Sequence, residues 1–147
     1  MKILYSHRTK SADGQAVHIR ALTEALARRS HEVVIVGPDD GAPSARPLDA
    51  RAGQGGLRQF LPAPIHELAE IAYSVPAYLK LKARAGETLP DILYERYNLF
   101  YHAGVRLARA RRLPFLLEVN SPLAEERRLH GGLALNGAAQ ASERSIW

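Results

Sequence analysis

The chain has 147 residues, of which 46% are hydrophobic, so it is long enough to fold as one domain around its own core. It contains no cysteine, which excludes disulfides, thiolate metal sites and cysteine nucleophiles and makes a reducing cytoplasm the expected location. The formal net charge of +5 suits anionic partners, but the basic residues come as short dispersed pairs, so no nucleic-acid partner is expected.

The first third of the chain predicts a strand, a helix and a second strand. Residues 2–6 form a short apolar run typical of a buried strand. Ile19, Leu22 and Leu26 then recur at the spacing of one helix face. Residues 32–36 are β-branched and apolar, which favours another strand. Together these segments predict a βαβ unit.

A long loop and a long helix are predicted next. Residues 37–56 are rich in Gly, Pro, Ala and Asp without periodicity, which indicates a loop, and residues 57–61 predict a short edge strand. An amphipathic helix follows, and Pro76 within it is expected to kink or split it because proline lacks the amide donor. The apolar residues that define its expected inward face are Ile65, Leu68, Ala72, Val75 and Leu79.

The last third continues the alternation of strands and helices. Strands are predicted at 92–94 and 115–119, and helices at 99–112, 122–130 and 138–147. Phe100, Gly104 and Leu107 are expected to face inward from the first of these helices. The whole pattern predicts an α/β fold, a Rossmann-like parallel sheet with helices on both faces.

Ligands of such sheets bind beyond the carboxyl ends of the strands, so residues that follow the strands are the candidate site. After the first strand, Gly14 and Gln15 lead into a helix whose free amides favour an anion such as a diphosphate. The alternative is that Ser11 or Asp13 caps the helix and Gly14 only makes a turn. His18 lies one turn into the helix and either reaches the cleft or packs as an ordinary surface residue.

Two further segments follow strands. In the first, Arg96 and the two tyrosines Tyr94 and Tyr97 have the chemistry to hold a phosphate or to stack on a sugar. The alternative is a helix start, in which Asn98 caps the helix and Arg96 pairs with Glu95 or another carboxylate. In the second, a carboxylate and an amide are expected to face the cleft from Glu118 and Asn120. A buried strand carboxylate needs a partner, so the alternative for Glu118 is a satisfied structural role. Asn120 is otherwise a turn or cap residue. No group of His, Asp and Glu has the spacing of a metal site, so no metal is expected.

Several segments resemble the family 4 retaining glycosyltransferases, whose GT-B fold consists of two Rossmann-like domains that face each other across a cleft. The similar segments cover nearly the whole chain and lie at residues 1–5, 13–18, 31–38, 90–97 and 117–122. The resemblance implies that residues 1–147 form the N-terminal, acceptor-side domain. It also implies that a C-terminal nucleotide-sugar-binding domain is absent from the chain, which alone is expected to be inactive.

The resemblance also implies roles for the candidate residues. Gly14 and Gln15 match the glycine-containing first loop that approaches the donor diphosphate, although many relatives have paired glycines where this chain has Asp13-Gly14. Asn120 takes the place at which many members carry a histidine near the transferred sugar. His18, Arg96, Tyr97 and Glu118 are then expected on the sugar and acceptor side.

The expected partners follow from the same resemblance. They are a nucleotide-sugar donor, an unidentified acceptor and the missing C-terminal domain, with no metal cofactor. The 37–56 loop and the helix around Pro76 are candidate acceptor-side elements, and their basic residues make an anionic membrane surface a further candidate partner if the acceptor is a lipid, with peripheral location at the inner face of the membrane. An exposed cleft face favours self-association of the fragment. The alternative function is a stand-alone Rossmann-like binding module for a phosphorylated ligand or a protein partner, and its support is the chain length.

Overall fold

The computed structural model describes residues 1–9, 14–38 and 62–147. Its strands are β1 (Lys2–Ser6), β2 (Glu32–Val36), β3 (Ile92–Arg96) and β4 (Phe115–Glu118). Its helices are α1 (Gly14–Arg28), α2 (Ala63–Thr88), α3 (Ala103–Arg111), α4 (Leu123–Leu129) and α5 (Asn136–Ile146). The strands form one parallel sheet in the order β2-β1-β3-β4, which confirms the predicted α/β fold.

The centre of the sheet is built on β1, which pairs with β2 on one side and with β3 on the other. Leu4 lies level with Val34 and Leu93, and β4 continues the sheet beyond β3. Both β1 and β2 have their predicted bounds, whereas β3 runs on to Arg96. Because every strand is parallel, all four carboxyl ends lie at one edge of the sheet.

One face of the sheet carries the main core. Leu4 and Leu93 are fully buried there against Leu81 of α2 and Leu107 of α3. Burial of each such leucine stabilises the fold by about 1.5–3 kcal/mol relative to an exposed side chain. Helix α1 lies on the opposite face. Leu117 points towards the α3 side, so its strand neighbour Glu118 points to the other face of the sheet. His18 of α1 contacts Glu118 there. The sheet is therefore covered on both faces, as predicted.

Helix α2 is continuous over 26 residues, so Pro76 does not split it. The predicted inward face is wrong. Ile65, Leu68, Val75 and Leu79 are 45%, 56%, 57% and 58% exposed. The buried positions are instead Glu67, Ser74, Ala77, Leu81 and Ala85.

The inward polar residues of α2 bind main-chain groups of other elements. Both carboxylate oxygens of Glu67 accept hydrogen bonds, at 2.6 Å each, from the amides of Ala134 and Leu135 at the start of α5. Ser74 donates to the carbonyl of Phe100 at 2.7 Å and accepts from the amide of His102 at 3.1 Å. Satisfying these buried groups decides which face of α2 turns inward.

Helix α3 begins at Ala103, four residues later than predicted. The preceding turn is held by Ser74, and Phe100 adopts a positive φ of 63° within it, which is incompatible with a helix. Phe100, Gly104 and Leu107 are nevertheless buried, as predicted. Helices α4 and α5 lie within one or two residues of their predicted bounds.

Some predictions concern residues outside the described ranges. They are the caps at Ser11 and Asp13, the edge strand at 57–61 and nearly all of the loop at 37–56. Among the helices of the described ranges, none is long and apolar enough to cross a bilayer.

Candidate functional site

Glu118, the last residue of β4, is the centre of a polar cluster at the carboxyl edge of the sheet. Its side chain is 12% exposed, and its Oε1 accepts a hydrogen bond from the Arg96 guanidinium at 3.0 Å. The same oxygen accepts from the Asn120 side-chain amide at 3.0 Å and lies 3.2 Å from His18 Nε2. Oε2 accepts from the Tyr94 hydroxyl at 3.3 Å. Four side chains thus hold one carboxylate, which confirms that Glu118 needs partners.

The parallel sheet explains why these residues meet. Arg96 and Glu118 are register partners on β3 and β4, so their side chains leave the same face of the sheet. Asn120 follows two residues after Glu118. Helix α1 starts after the central strand β1 and brings His18 over that face from its second turn. Residues far apart in sequence therefore converge because each follows a strand end.

A cavity of about 120 Å³ adjoins the cluster. Its lining consists of Gln15, Arg96, Tyr97, Asn98, Asn120, Ser121 and Leu123. Four of the seven predicted site residues thus line it directly. Glu118 contacts the lining residues Arg96 and Asn120, and His18 contacts Glu118. Gly14, the first residue of α1, adjoins Gln15. The structure brings all seven predicted residues to the same edge of the sheet.

Gly14 is exposed, and a Cβ atom built on it would meet no atom within 4 Å. Packing within the described residues therefore does not require glycine at this position. Gln15 Oε1 accepts a hydrogen bond from the Thr9 hydroxyl at 3.1 Å. The start of α1 is thereby tied to the segment that leaves β1.

Tyr97 lines the cavity, but its hydroxyl is used elsewhere. The hydroxyl donates to Glu143 Oε1 of α5 at 2.8 Å, and the ring meets the edge of Trp147 with 5.8 Å between centroids. Burial, with the Glu143 contact, raises the pKa of Tyr97. The alternative in which Asn98 caps the following helix is wrong, because α3 begins only at Ala103 and the Asn98 amide donates to the Arg96 carbonyl at 3.4 Å.

The cluster combines hydrogen-bond donors and acceptors with little net charge. The Arg96 cation balances the Glu118 carboxylate, and each side chain is only 12% exposed. Burial, followed by the Glu118 charge, raises the pKa of Tyr94 to about 12, so its hydroxyl stays a donor at neutral pH. Such a polar and nearly neutral wall suits ligands with many hydroxyl groups.

A second carboxyl, Glu95 of β3, lies on the opposite face of the sheet and is 1% exposed. Its Oε2 accepts from the Ser6 hydroxyl at 3.1 Å, and within the described ranges Oε1 has no hydrogen-bond partner. Gly104 lies so close that a Cβ atom there would collide with the carboxyl. Burial raises the pKa of Glu95 to about 8 against the opposing hydrogen bonds from Ser6 and the Gly104 amide. This group is therefore protonated at neutral pH.

Glu95 was not predicted to be a buried group and was named only as a candidate partner of Arg96. The pairing does not occur, because adjacent strand residues point to opposite faces and Arg96 turns to Glu118 instead. A signal was present: Glu95 lies two residues after the buried Leu93, and the period of two places it inward. Ser121, which lines the cavity, was also not proposed as a site residue.

The part of the chain that the structure describes holds no group of three His, Asp or Glu residues able to bind a metal ion. This finding does not test the predicted metal independence, which stays a prediction.

Comparison with protein families gives one finding that covers most of the chain. A sequence profile of the family described as Glycosyltransferase Family 4 matches residues 12–145. Comparison with curated proteins and with solved structures gave no match. The matched range includes every predicted site residue.

Proposed function

The chain belongs to glycosyltransferase family 4, and from that premise we propose that it supplies the acceptor-side wall of a site that transfers a sugar from a nucleotide-sugar donor with retention of anomeric configuration. One observation carries the proposal. His18, Arg96 and Asn120, from three separate segments, converge on the nearly buried Glu118 beside a cavity at the carboxyl edge of the sheet.

The chemistry of the cavity fits a sugar better than a bare phosphate. Arg96 is already paired with Glu118, so its positive charge is largely neutralised. The guanidinium still has further N–H donors, and the amides of Asn98 and Asn120 both donate and accept. A sugar presents hydroxyl groups that also donate and accept, so each can be satisfied at this wall. The volume of about 120 Å³ accommodates part of a sugar ring rather than a whole nucleotide sugar.

We assign the donor diphosphate to the start of α1. The first amides of a helix have no intrahelical partner and carry the positive end of the helix dipole. Gly14 allows a ligand to approach the start of the helix closely, since no described atom lies within 4 Å of a Cβ atom built on it. Charge that develops on the leaving diphosphate would be stabilised there. Gln15 connects this point to the cavity, because it lies next to Gly14 and lines the cavity wall.

We assign supporting roles to the remaining residues. Glu118 fixes Arg96 and Asn120 in place, and His18 extends the cluster towards α1 with a side chain that is 52% exposed. Tyr97 acts through packing, since its hydroxyl binds Glu143. The nucleotide is expected to bind mainly to a second domain outside these 147 residues, as in the two-domain GT-B architecture. Transfer is expected to need no metal.

The test is a transfer assay on the natural polypeptide that carries these residues, with a panel of UDP- and GDP-hexoses and a chelator in parallel. We expect transfer from one donor, unaffected by the chelator, to a product whose anomeric coupling constant matches that of the donor. Gly14→Val is expected to lower turnover at least about tenfold while thermal unfolding stays nearly unchanged, with Val17→Ala on the exposed side of α1 as control. Donor binding without transfer would instead support the binding module, and full activity of Gly14→Val would refute the role of the helix start.

A further inference from the structure

The hydroxyl of Tyr5, in the central strand β1, is buried without a hydrogen bond. Tyr5 is 0% exposed, and its hydroxyl has no hydrogen-bond partner within the described ranges. A buried hydroxyl that lacks a partner costs folding free energy, because it has given up its hydrogen bonds to water. Phenylalanine would fill the same space without this cost. The hydroxyl therefore calls for a role other than packing.

This hydroxyl lies under the polar cluster around Glu118. Tyr5 is the register partner of Tyr94, and 5.0 Å separates the centroids of the two rings. Since Arg96 follows Tyr94 by two residues, all three side chains leave the same face of the sheet. Burial and then the Glu118 charge raise the pKa of Tyr5, whereas Arg96 lowers it. The hydroxyl is thus close to both the carboxylate and the guanidinium, although it is hydrogen-bonded to neither.

The Tyr5 hydroxyl is the spare donor of this cluster. The side chains that already donate to Glu118 are those of Arg96, Asn120 and Tyr94. Two other buried side-chain atoms of the described ranges also lack a partner, but both lie elsewhere. One belongs to His31, just before the start of β2, and the other to Glu95 on the opposite face of the sheet.

Arg96 belongs both to the cluster and to the cavity wall. Its guanidinium donates to Glu118 Oε1 at 3.0 Å and has further N–H groups that suit a ligand. A ligand that binds these groups draws the guanidinium towards the cavity and weakens its hydrogen bond to Glu118. Because the Glu118 side chain is only 12% exposed, the loss of this partner without a substitute is costly.

We propose that Tyr5 is a positioning residue whose hydroxyl donates to Glu118 when a ligand in the cavity draws Arg96 away. The hydroxyl hydrogen turns about the C–O bond, so the Tyr5 ring keeps its packing. This exchange lets Arg96 bind a ligand without leaving a nearly buried carboxylate short of a donor. That the ligand is a sugar rests on the proposed function, whereas the exchange of donors is a property of the cluster and is measured without transfer.

The first test measures the exchange in the 147-residue chain by urea titration. Arg96→Met removes the guanidinium and so imitates its departure from Glu118. We expect Tyr5→Phe alone to leave the folding equilibrium constant unchanged or to raise it, because the hydroxyl is then unpaired. In the Arg96→Met background, Tyr5→Phe is expected to lower the constant at least about tenfold, because the hydroxyl then holds Glu118.

Tyr94→Phe is the matched control for the first test. It makes the same change at a hydroxyl that is hydrogen-bonded at 3.3 Å, so it is expected to lower the folding constant about fivefold in the otherwise wild-type chain. A similar loss for Tyr5→Phe alone would overturn the proposal, since its hydroxyl would then already have a partner. Equal effects of Tyr5→Phe with and without Arg96→Met would overturn it too.

The second test measures transfer kinetics of the natural polypeptide and needs no Arg96 variant. Tyr5→Phe is expected to raise KM for the sugar donor about tenfold with kcat within about threefold of the wild type, because the exchange accompanies binding. Tyr78→Phe, the same change at a half-buried tyrosine of α2, is expected to keep the wild-type KM. An unchanged KM for Tyr5→Phe would overturn the proposal. Absence of transfer in the wild type would count against the proposed function instead, and the urea titrations would still decide the role of Tyr5.

Discussion

Two carboxyl groups at the ends of neighbouring strands have opposite environments. Glu118 of β4 lies beside a cavity and is held by Arg96, His18, Asn120 and Tyr94. Glu95 of β3 lies on the other face of the sheet, is fully buried, and meets no cation among the described residues. Its pKa is raised to about 8 by burial.

The difference shows how position on the sheet decides the role of a carboxyl. Glu118 organises donors and acceptors around a cavity, which fits its place in the proposed site. The protonated Glu95 satisfies Ser6 and packs against Gly104, so it serves the core. Successive side chains of a strand point to opposite faces of the sheet. Arg96 follows Glu95 directly, so the two side chains lie on different faces.

At constant pH, the largest expected effect comes from removing the cation of Glu118. Arg96→Met leaves a carboxylate that is only 12% exposed without its charge partner, so the free energy of unfolding is expected to fall by about 2–3 kcal/mol in urea titrations. Adding Glu118→Gln to this variant should restore part of the loss, because the uncompensated charge is then gone.

The matched control is Arg84→Met, since Arg84 and Glu87 also lie 3.0 Å apart but are 48% and 62% exposed. Solvent screens that pair, and its loss is expected to cost less than about 1 kcal/mol. Equal losses for the two arginine variants would mean that Glu118 is not a buried charge held by Arg96.

A pH-dependent effect is expected at Glu95. Folding raises the pKa of Glu95 from 4.5 to about 8, so the folded chain holds the proton more tightly than the unfolded chain. The resulting stabilisation is complete below about pH 4.5 and is lost as the pH rises through about 8. Glu95→Gln keeps a neutral side chain of the same shape and removes this pH dependence.

Urea titrations at several pH values measure this effect as the difference between the wild type and Glu95→Gln. Relative to the variant, the wild type is expected to lose up to about 1.4 kcal/mol per pH unit between pH 5 and 8. A difference that stays constant across this range would show that Glu95 is not protonated in the folded chain.

The sequence predicted the sheet well because its signals are local. Residues 2–6 and 32–36 are short apolar runs flanked by polar residues, and both strands have the predicted bounds. The face of α2 could not be predicted in the same way. The apolar periodicity predicted that Ile65 and Leu79 face the core. Glu67 faces the core instead and accepts hydrogen bonds from the amides of Ala134 and Leu135, which lie 67 and 68 residues further along the chain. Nothing local to α2 encodes that partner.

The candidate site was predictable in its members but not in its contacts. The rule that ligands lie beyond strand ends selected Arg96, Glu118 and Asn120, and these side chains meet. That Arg96 would pair with Glu118 rather than Glu95 required the register of β3 against β4. The Tyr97 hydroxyl donates to Glu143 of α5, which is 46 residues further along the chain. The sequence near Tyr97 therefore does not predict this contact.

The most direct test of the central claim compares turnover of Glu118→Gln and Glu95→Gln in the natural polypeptide at neutral pH, each corrected for the folded fraction. If the cluster around Glu118 forms the sugar-transfer site, Glu118→Gln lowers turnover at least about 100-fold, equivalent to about 2.7 kcal/mol of transition-state stabilisation, while Glu95→Gln stays within about threefold of the wild type. Full turnover of Glu118→Gln, or an equal loss in both variants, would contradict the assignment of this edge of the sheet as the site.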